Sequence, residues 1–523
     1  MLQEGTGSRE HEQSGRSPAG AMRHSIRTSP FMKDVIWTTV TSVLTILSFI
    51  VVTRILADGL GPERFGAYSM VRRILATIEP FSTLGMGVAL SRYIAIADSE
   101  EKRAHYFLGG MASVLASCLL LVVAGLSFQH ALTQSIFHSA EYRPLFLAML
   151  FLIVGYSLYV ALYSLYRGLG RMDLANYWQL ALMAVVPIPV AVLFVPSGRV
   201  DWIILLLGAG FFLAAMPLIA RAVKSFRHIR GRLFAWAHWR EILGYSLPRV
   251  PTQIAFGGIL MVGPFFAPYF GGMKEAGYLV VSESVLRVVE GGVEGFSRVA
   301  LPAVARIHAE GRQEFLRLRI NDLMSFIIHI GFFATVHLFL WADQIVLLWL
   351  GRAYEEVIPL MRWTIVAIVP FIAYSMLRSV IDAVEKKAVN ARNLYVALAI
   401  CLLASLGMAF AGLGILGLAL GMTAGFWILG VLTFRFLWRL YETRMADLFV
   451  TEAIVLNVAL GAVAMGLKYG LERNLSGLTL LSVALVLECA LFLLYGMVLW
   501  KLSVPWTLQL MERLVRNENQ PQG

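Results

Sequence analysis

The sequence predicts an all-α polytopic membrane protein of about fourteen transmembrane helices: two related six-helix bundles and two extra C-terminal helices. Three observations carry this. The 523 residues are 58% hydrophobic and only 15% charged, against about 45–50% and about 25% in soluble domains. Apolar stretches of about 20 residues, enough to span a bilayer as a helix, recur along nearly the whole chain. Two stretches 210 residues apart also read as copies, Gly61-Pro-Glu-Arg-Phe-Gly-Ala-Tyr68 and Gly271-Gly-Met-Lys-Glu-Ala-Gly-Tyr278, with Gly61 matched to Gly271 and Tyr68 to Tyr278.

The predicted spans of the first bundle are residues 35–57, 65–89, 106–128, 145–166, 177–195 and 202–220. Those of the second are 243–267, 278–299, 323–341, 357–380, 394–412 and 416–436; 449–469 and 478–499 have no partner in the repeat. The first span is apolar, holds no acid and carries Arg54 toward its end. The second continues the repeat signature and carries Arg72, Arg73 and Glu79. Pro187 and Pro189 interrupt the fifth span, Pro217 the sixth and Pro370 the tenth, each removing an intrahelical bond and inviting a bend. Around the seventh, Pro248, Pro251, Pro264 and Pro268 join Gly257, Gly258 and Gly263, as a bending helix or as ordinary packing kinks. The ninth holds His329 and His337, read as core histidines, with a proton carrier as the alternative. Cys118, Cys401 and Cys489 all fall within apolar spans and read as packing residues, not as a disulfide or metal set.

Residues 1–32 are polar, lack the apolar core of a signal peptide and read as a disordered tail. Residues 33–223 then form the first bundle, 224–242 a basic linker, 243–440 the second bundle, 441–500 the two additional helices and 501–523 a second tail. The repeat extends further. Tyr142, an apolar run, Arg171-Met-Asp173 and Asn176 are echoed by Tyr354, an apolar run, Glu385-Lys-Lys387 and Asn390. Both copies begin on the same side, so an axis along the membrane normal relates them, as in transporters that rock about a central site.

Most of the 44 Lys and Arg fall in alternate loops, among them Lys102, Arg103, Arg167, Arg171 and the basic runs within 221–240 and 306–319. The positive-inside rule makes those loops, and both termini, cytoplasmic. The net charge of +11 is therefore an orientation signal and excludes nucleic acid as a partner. The stretch 221–240 also holds Phe226, Phe234, Trp236 and Trp239, which suits a helix lying on anionic lipid; a loop held inside by its charge fits equally.

Within the eighth span, Glu283, Arg287, Glu290 and Glu294 share one helical face. Each charge near the midplane costs about 2.5–3.5 kcal/mol, more in sum than the surrounding apolar residues return. That face must line a wet cavity or pair with other spans. An internal ladder, Glu283 to Arg287 to Glu290, is the alternative, and it leaves Glu294 needing Arg298 or an outside partner. In the first bundle Arg72 and Glu79 share a face, and Arg54 is expected at a depth similar to Arg72. Guanidiniums bind phosphate oxygens in a bidentate fork and stay charged at cellular pH, so a pyrophosphate is a fitting guest. Snorkelling to headgroups is the alternative for Arg54 and one of the tandem pair. Adjacent residues point about 100° apart, so at most one of Arg72 and Arg73 faces the cavity squarely. No phosphate loop, nucleophile elbow or metal-spaced His or Cys set occurs, so neither an enzyme nor a cofactor is expected.

Thr53-Arg-Ile-Leu-Ala57, Gly61-Pro-Glu-Arg-Phe-Gly-Ala-Tyr68, Leu84-Gly-Met-Gly87, Ser91-Arg-Tyr-Ile94 and Tyr166-Arg-Gly-Leu-Gly-Arg-Met-Asp173 resemble the polysaccharide transporter family. That family includes the O-antigen (Wzx-type) flippases of the multidrug/oligosaccharidyl-lipid/polysaccharide exporter superfamily. The extra Asp58-Gly59-Leu60 lengthens the first outer loop relative to the usual pattern, and the last two helices match fourteen-helix members such as the lipid II flippases. The resemblance implies two six-helix bundles forming a V. It also implies that a polyprenyl-pyrophosphate-linked oligosaccharide, such as an O-antigen or exopolysaccharide unit, crosses the bacterial cytoplasmic (inner) membrane by alternating access.

On that reading Arg54, Arg72, Arg73 and Arg287 hold the pyrophosphate or sugar acids. Glu79, Glu283, Glu290 and Glu294 serve ion coupling or sugar contacts. Membrane lipids, a polysaccharide polymerase and chain-length machinery are the implied partners, in lipopolysaccharide-type biosynthesis. The competing reading, a cation-coupled multidrug extruder of the same superfamily, sits poorly with cavity arginines and an acid-free first span. A membrane glycosyltransferase or polymerase would need paired carboxylates on a large outer loop, where only Asp58 and Glu63 stand.

Overall fold

The computed structural model describes residues 30–226, 234–385 and 388–507, and every regular element among them is helical. In order these are α1 Pro30–Ser82, α2 Met86–Ile96, α3 Glu100–Ser127, α4 Gln129–Phe137, α5 Arg143–Gly168, α6 Met172–Leu180, α7 Pro187–Phe194 and α8 Val200–Phe226. Then follow α9 Trp236–Ser246, α10 Val250–Phe266, α11 Pro268–Gly271, α12 Met273–Ala309, α13 Gln313–Trp349, α14 Val357–Ile365 and α15 Ile368–Val384. The last are α16 Val389–Met408, α17 Gly414–Tyr441, α18 Val450–Asn474 and α19 Gly477–Lys501. Most of the two expected tails lies outside the described residues, as do linker residues 227–233.

Among the described residues, ten helical stretches are long and apolar enough to cross a membrane, or eleven with the bent pair α14–α15 counted as one span. The expected fourteen exceed this because two stretches, Trp37–Ser82 (46 residues) and Val389–Tyr441 (53 residues), each enter the count once. At 1.5 Å per residue these measure about 69 and about 80 Å, far beyond the ~30 Å hydrocarbon core. Each is broken: at Gly61 (φ 69°, ψ 169°) and at Gly412 (φ 103°) beside a π turn. The charged α12 is not among the ten. Large apolar side chains such as Leu193, Leu403, Phe410 and Leu478 are exposed, as lipid-facing residues are.

The two halves meet along α1 and α12, and the repeat explains how. Gly61 and Gly272 adopt nearly the same left-sided conformation (φ 84°, ψ −166° at Gly272), which a side chain would strain. A new helix begins directly after each, with Pro62 at the first position in one copy. The structure therefore sets the register one residue beyond the sequence match: Gly61 is equivalent to Gly272, Arg72 to Glu283 and Glu79 to Glu290. The next glycine of each copy, Gly66 and Gly277, then become equivalent, and they touch. A Cβ on Gly277 would lie 2.6 Å from Gly66 Cα, and one on Gly66 would lie 1.9 Å from the Met273 carbonyl oxygen. Contact between equivalent positions means that the pseudo-two-fold axis passes between them.

Elsewhere the halves pack alike, α5 on α8 and α15 on α17. In α17, Gly417, Gly421 and Gly425 bring the backbone against Ala409, Ser405 and Cys401 of the preceding hairpin arm, the close approach that small residues allow between membrane helices. The linker helix α9 docks on α3: Trp239 Nε1 donates to Ser113 Oγ at 2.9 Å and Tyr106 Oη to Glu241 at 2.7 Å. The appended α18 and α19 pack on α13.

Candidate functional site

The α1–α12 crossing brings together most of the predicted site. Arg73 and Glu283, 3% and 2% exposed, form a direct ion pair between the halves. Neither residue lines an open cavity, and Glu283 pairs across to α1 instead of with Arg287 on its own helix. The neighbouring Arg72 and Arg287 are half-buried, and among the described residues neither makes a hydrogen bond or an ion pair. Arg287 lies within electrostatic reach of Arg72, Arg73, Glu283 and Glu290. The tandem pair thus divides as the 100° rotation requires: Arg73 goes into the helix contact and Arg72 to the side shared with Arg287.

Glu79 is half-buried, and Thr83 Oγ1 donates to it at 3.4 Å. Glu290 is half-buried as well. The Glu294 side chain lies outside the described residues. Arg54 stands apart from this group. It lies 3.9 Å from Asp58, reaches the Trp349 carbonyl at 3.4 Å, and has a 42% exposed side chain. The kink at Gly61 separates the helix segment that carries it from the one that carries Arg72.

Two participants come from elsewhere in the sequence. Tyr156 of α5 is within electrostatic reach of Glu79, Arg72 and Arg287 and packs edge-on against Phe211. Tyr156, Tyr159, Tyr163 and Tyr166 recur at helical spacing, a legible stripe along one face of a span. The other is Glu63, whose carboxylate accepts from the Met273 and Lys274 amides at 3.1 and 3.0 Å. It caps the N-terminus of α12 from the opposite half, where an anion meets unsatisfied amides and a favourable dipole.

The loops around Glu63 form the face poor in lysine and arginine, and further bonds join the halves there. Tyr354 Oη donates to the Ala57 carbonyl at 3.0 Å, Trp349 Nε1 to the Ile50 carbonyl at 2.9 Å, and Lys274 pairs with Glu356 at 3.1 Å. With the Gly66–Gly277 crossing, these close this face between the halves. Below the closed face, Arg72, Arg73 and Glu283 share one level, Arg287 lies one turn further along α12, and Glu79 and Glu290 lie beyond it. A cavity of about 1250 Å³ lies apart from this site at the basic face, lined among others by Arg317, Asn321, Asp322, Glu442 and Asp447.

A protein-family model described as "Polysaccharide biosynthesis protein" matches residues 31–308. A lipid II flippase MurJ structure in an inward closed conformation superposes with a TM-score of 0.69 at 13% identity, covering 90% of this chain and 99% of that one. An inward-facing multidrug resistance MATE family transporter of the MOP superfamily gives 0.63 at 16%, covering 78% and 98%. A MOP superfamily transporter from Pyrococcus furiosus, described as having a binding pocket of reverse polarity, gives 0.57 at 15%, covering 78% and 96%. No curated protein sequence matches. These neighbours are a flippase and transporters, not catalysts, and they share an all-helical fold with the chain.

Proposed function

This chain belongs to the polysaccharide biosynthesis protein family, and from that premise and the charged site we propose that it flips a polyprenyl-pyrophosphate-linked oligosaccharide between the leaflets of a bacterial cytoplasmic membrane. The observation that carries the reading is the pair Arg72 and Arg287. Two half-buried guanidiniums, one from each half, have no ion-pair partner among the described residues. Each costs about 2.5–3.5 kcal/mol near the midplane on insertion scales, and a polyanion between them offsets that cost. A pyrophosphate can accept a planar fork from each side. The oligosaccharide would contact Tyr156, Glu79 and Glu290, while the polyprenyl chain stays in lipid.

Rocking of the halves about the α1–α12 crossing would carry the headgroup from the basic, cytoplasmic side to the opposite one. Arg73 and Glu283 serve as the buried joint of that crossing, and Arg54 as part of its outer rim. Both termini are placed in the cytoplasm by the lysine and arginine bias. The neighbours in the multidrug resistance family favour a second reading, export of a cationic drug, which two arginines without an ion-pair partner among the described residues oppose. Proteoliposomes loaded with labelled lipid-linked oligosaccharide separate the two. Translocation to the far leaflet without efflux of a cationic dye supports the flippase; dye efflux without translocation refutes it.

A further inference from the structure

The seam between α13 and the appended helices α18 and α19 holds titratable groups deep in the apolar zone. His337 stands about 18 Å along α13 from its Trp349 end. Glu488, the sole acid of α19, lies about 17 Å from that helix's start and about 20 Å from its end. His337 is 5% exposed, and its Nδ1 lies 2.5 Å from Glu488 Oε2. Trp341 Nε1 donates to the other oxygen, Glu488 Oε1, at 2.6 Å. A bare imidazole nitrogen and a bare carboxylate oxygen present only lone pairs, which repel at that separation. Among the described residues neither His337 nitrogen nor Glu488 Oε2 has a hydrogen-bond partner, so one proton added to the pair relieves that repulsion and leaves it neutral overall, as imidazolium–carboxylate or as imidazole–carboxylic acid.

The two sides of the pair differ. Toward the lysine- and arginine-poor face, Lys468 of α18 lies 5.5 Å from the Trp341 ring and donates to both Asp343 oxygens at 2.6 Å. Arg362 of α14 stands 3.7 Å from Asp343, and Glu472 3.6 Å from Lys468. This flank is balanced in charge and reaches solvent, since Asp343 is 27% and Glu472 34% exposed. Toward the basic face, Phe333 stacks on His337 at 4.0 Å and on Tyr495 at 5.3 Å. Beyond it lies a second polar group: Asn457 donates to Tyr495 Oη at 3.1 Å, and that hydroxyl meets His329 Nδ1 at 2.7 Å. The same hydroxyl donates to the His329 carbonyl at 3.5 Å, and His329 Nε2 is buried without a partner among the described residues. The charges of α15, Arg378 and Asp382, stand about 14 Å or more further along that helix from Val369, which faces Gly331.

We propose that His337 and Glu488 form a proton-binding site that exchanges with the lysine- and arginine-poor face past Trp341 and Lys468, and that Phe333 walls it from the His329–Tyr495–Asn457 group. The ligand is a proton taken from water on that face; no bond between heavy atoms forms or breaks. A site filled from one face and sealed from the other is what a carrier needs to draw on a proton gradient. That use rests on the transport reading above, whereas the proton site does not.

The test is a titration of the full-length protein in nanodiscs between about pH 5 and about pH 8. Histidine ring resonances and the infrared band of protonated carboxyl are followed together. His337 and Glu488 should titrate as a coupled pair. Glu488→Gln should shift the His337 midpoint by about one pH unit or more, and His337→Gln should move the Glu488 band. Trp341→Phe keeps both titrating groups and a ring in place; it should shift both signals, and it decides the matter if Glu488→Gln fails to fold. A His337 midpoint identical in wild type, Glu488→Gln and Trp341→Phe overturns the proposal, as does the absence of titration across that range. In proteoliposomes, a one-proton carrier gains about tenfold in accumulation per pH unit of gradient. Wild type should show that gain and His337→Gln should lose it; a gain retained in His337→Gln overturns the coupling. Wild-type protein that moves no lipid-linked sugar would sink the transport reading, while the titration still decides the proton site.

Discussion

Replacing Gly66 with alanine should push the closed face apart. The added methyl would lie 1.9 Å from the Met273 carbonyl oxygen, where ordinary contact begins at 3.4 Å. Relief needs a separation of about 1.5 Å between α1 and α12, because the obstacle is backbone and cannot rotate away. The Glu63 bonds to Met273 and Lys274, now 3.1 and 3.0 Å, would stretch to about 4.5 Å and cease to be hydrogen bonds. Two bonds to an ionised carboxylate at an exposed rim are worth about 3 kcal/mol together, at the low end of about 1.5–3 each.

A loss of about 3 kcal/mol from the closed arrangement alone shifts its population about 100-fold against any arrangement in which the faces part. Spin labels at Arg64 and Glu355, in a background with the exposed Cys489 replaced by serine, read that distance directly by pulsed dipolar spectroscopy. The expected result is a longer, broader distance distribution in Gly66→Ala than in the parent. An unchanged distribution with unchanged thermal stability would refute the reasoning, since the methyl would then have been absorbed without moving the halves.

Other outcomes follow from the same geometry. Glu63→Gln keeps the shape but weakens the charge-assisted cap on α12, and should produce a smaller shift of the same sign in that distance measurement. Glu283→Gln leaves Arg73 buried without its partner and should cost about 3–5 kcal/mol of stability. Adding Arg73→Met should restore most of it, and a double-mutant cycle on thermal unfolding reads the coupling. Arg287→Ala should abolish complementation of a flippase-deficient strain while membrane insertion and thermal stability hold, because Arg287 has no ion-pair partner to lose among the described residues. Loss of insertion instead would assign it to folding.

The fold was legible because apolar length and charge placement report the bilayer directly. The repeat was legible too, but its register slipped by one residue. Matching Gly61 to Gly271 follows residue identity, whereas the backbone turns at Gly272 and only the conformation reveals it. Sequence alone restricts Arg72 and Arg73 to one cavity-facing member; the Gly66–Gly277 contact chooses between them by fixing the rotation of α1. A similar depth for Arg54 and Arg72 follows from two successive spans that turn back near Gly61, but the direction of Arg54, toward Asp58 and the Trp349 carbonyl, does not. Glu63 read as a loop acid because its partners, the Met273 and Lys274 amides, lie across the repeat. The tyrosine stripe of α5 was visible and its role was not, since nothing local to Tyr156 is charged. His337 and Glu488 are separated by more than one hundred residues, and a lone acid in an apolar span signals a distant partner without identifying it.

The most direct test of two opposed guanidiniums awaiting a polyanion is the affinity of the purified protein for a polyprenyl pyrophosphate, measured for wild type, Arg72→Gln, Arg287→Gln and the double variant. Each loss of a charged fork should weaken binding about tenfold or more, at about 1.5–3 kcal/mol per charge-assisted bond, with no gain in binding of a cationic dye. Equal affinity in all four proteins, or dye binding that tightens on wild type instead, would contradict the account.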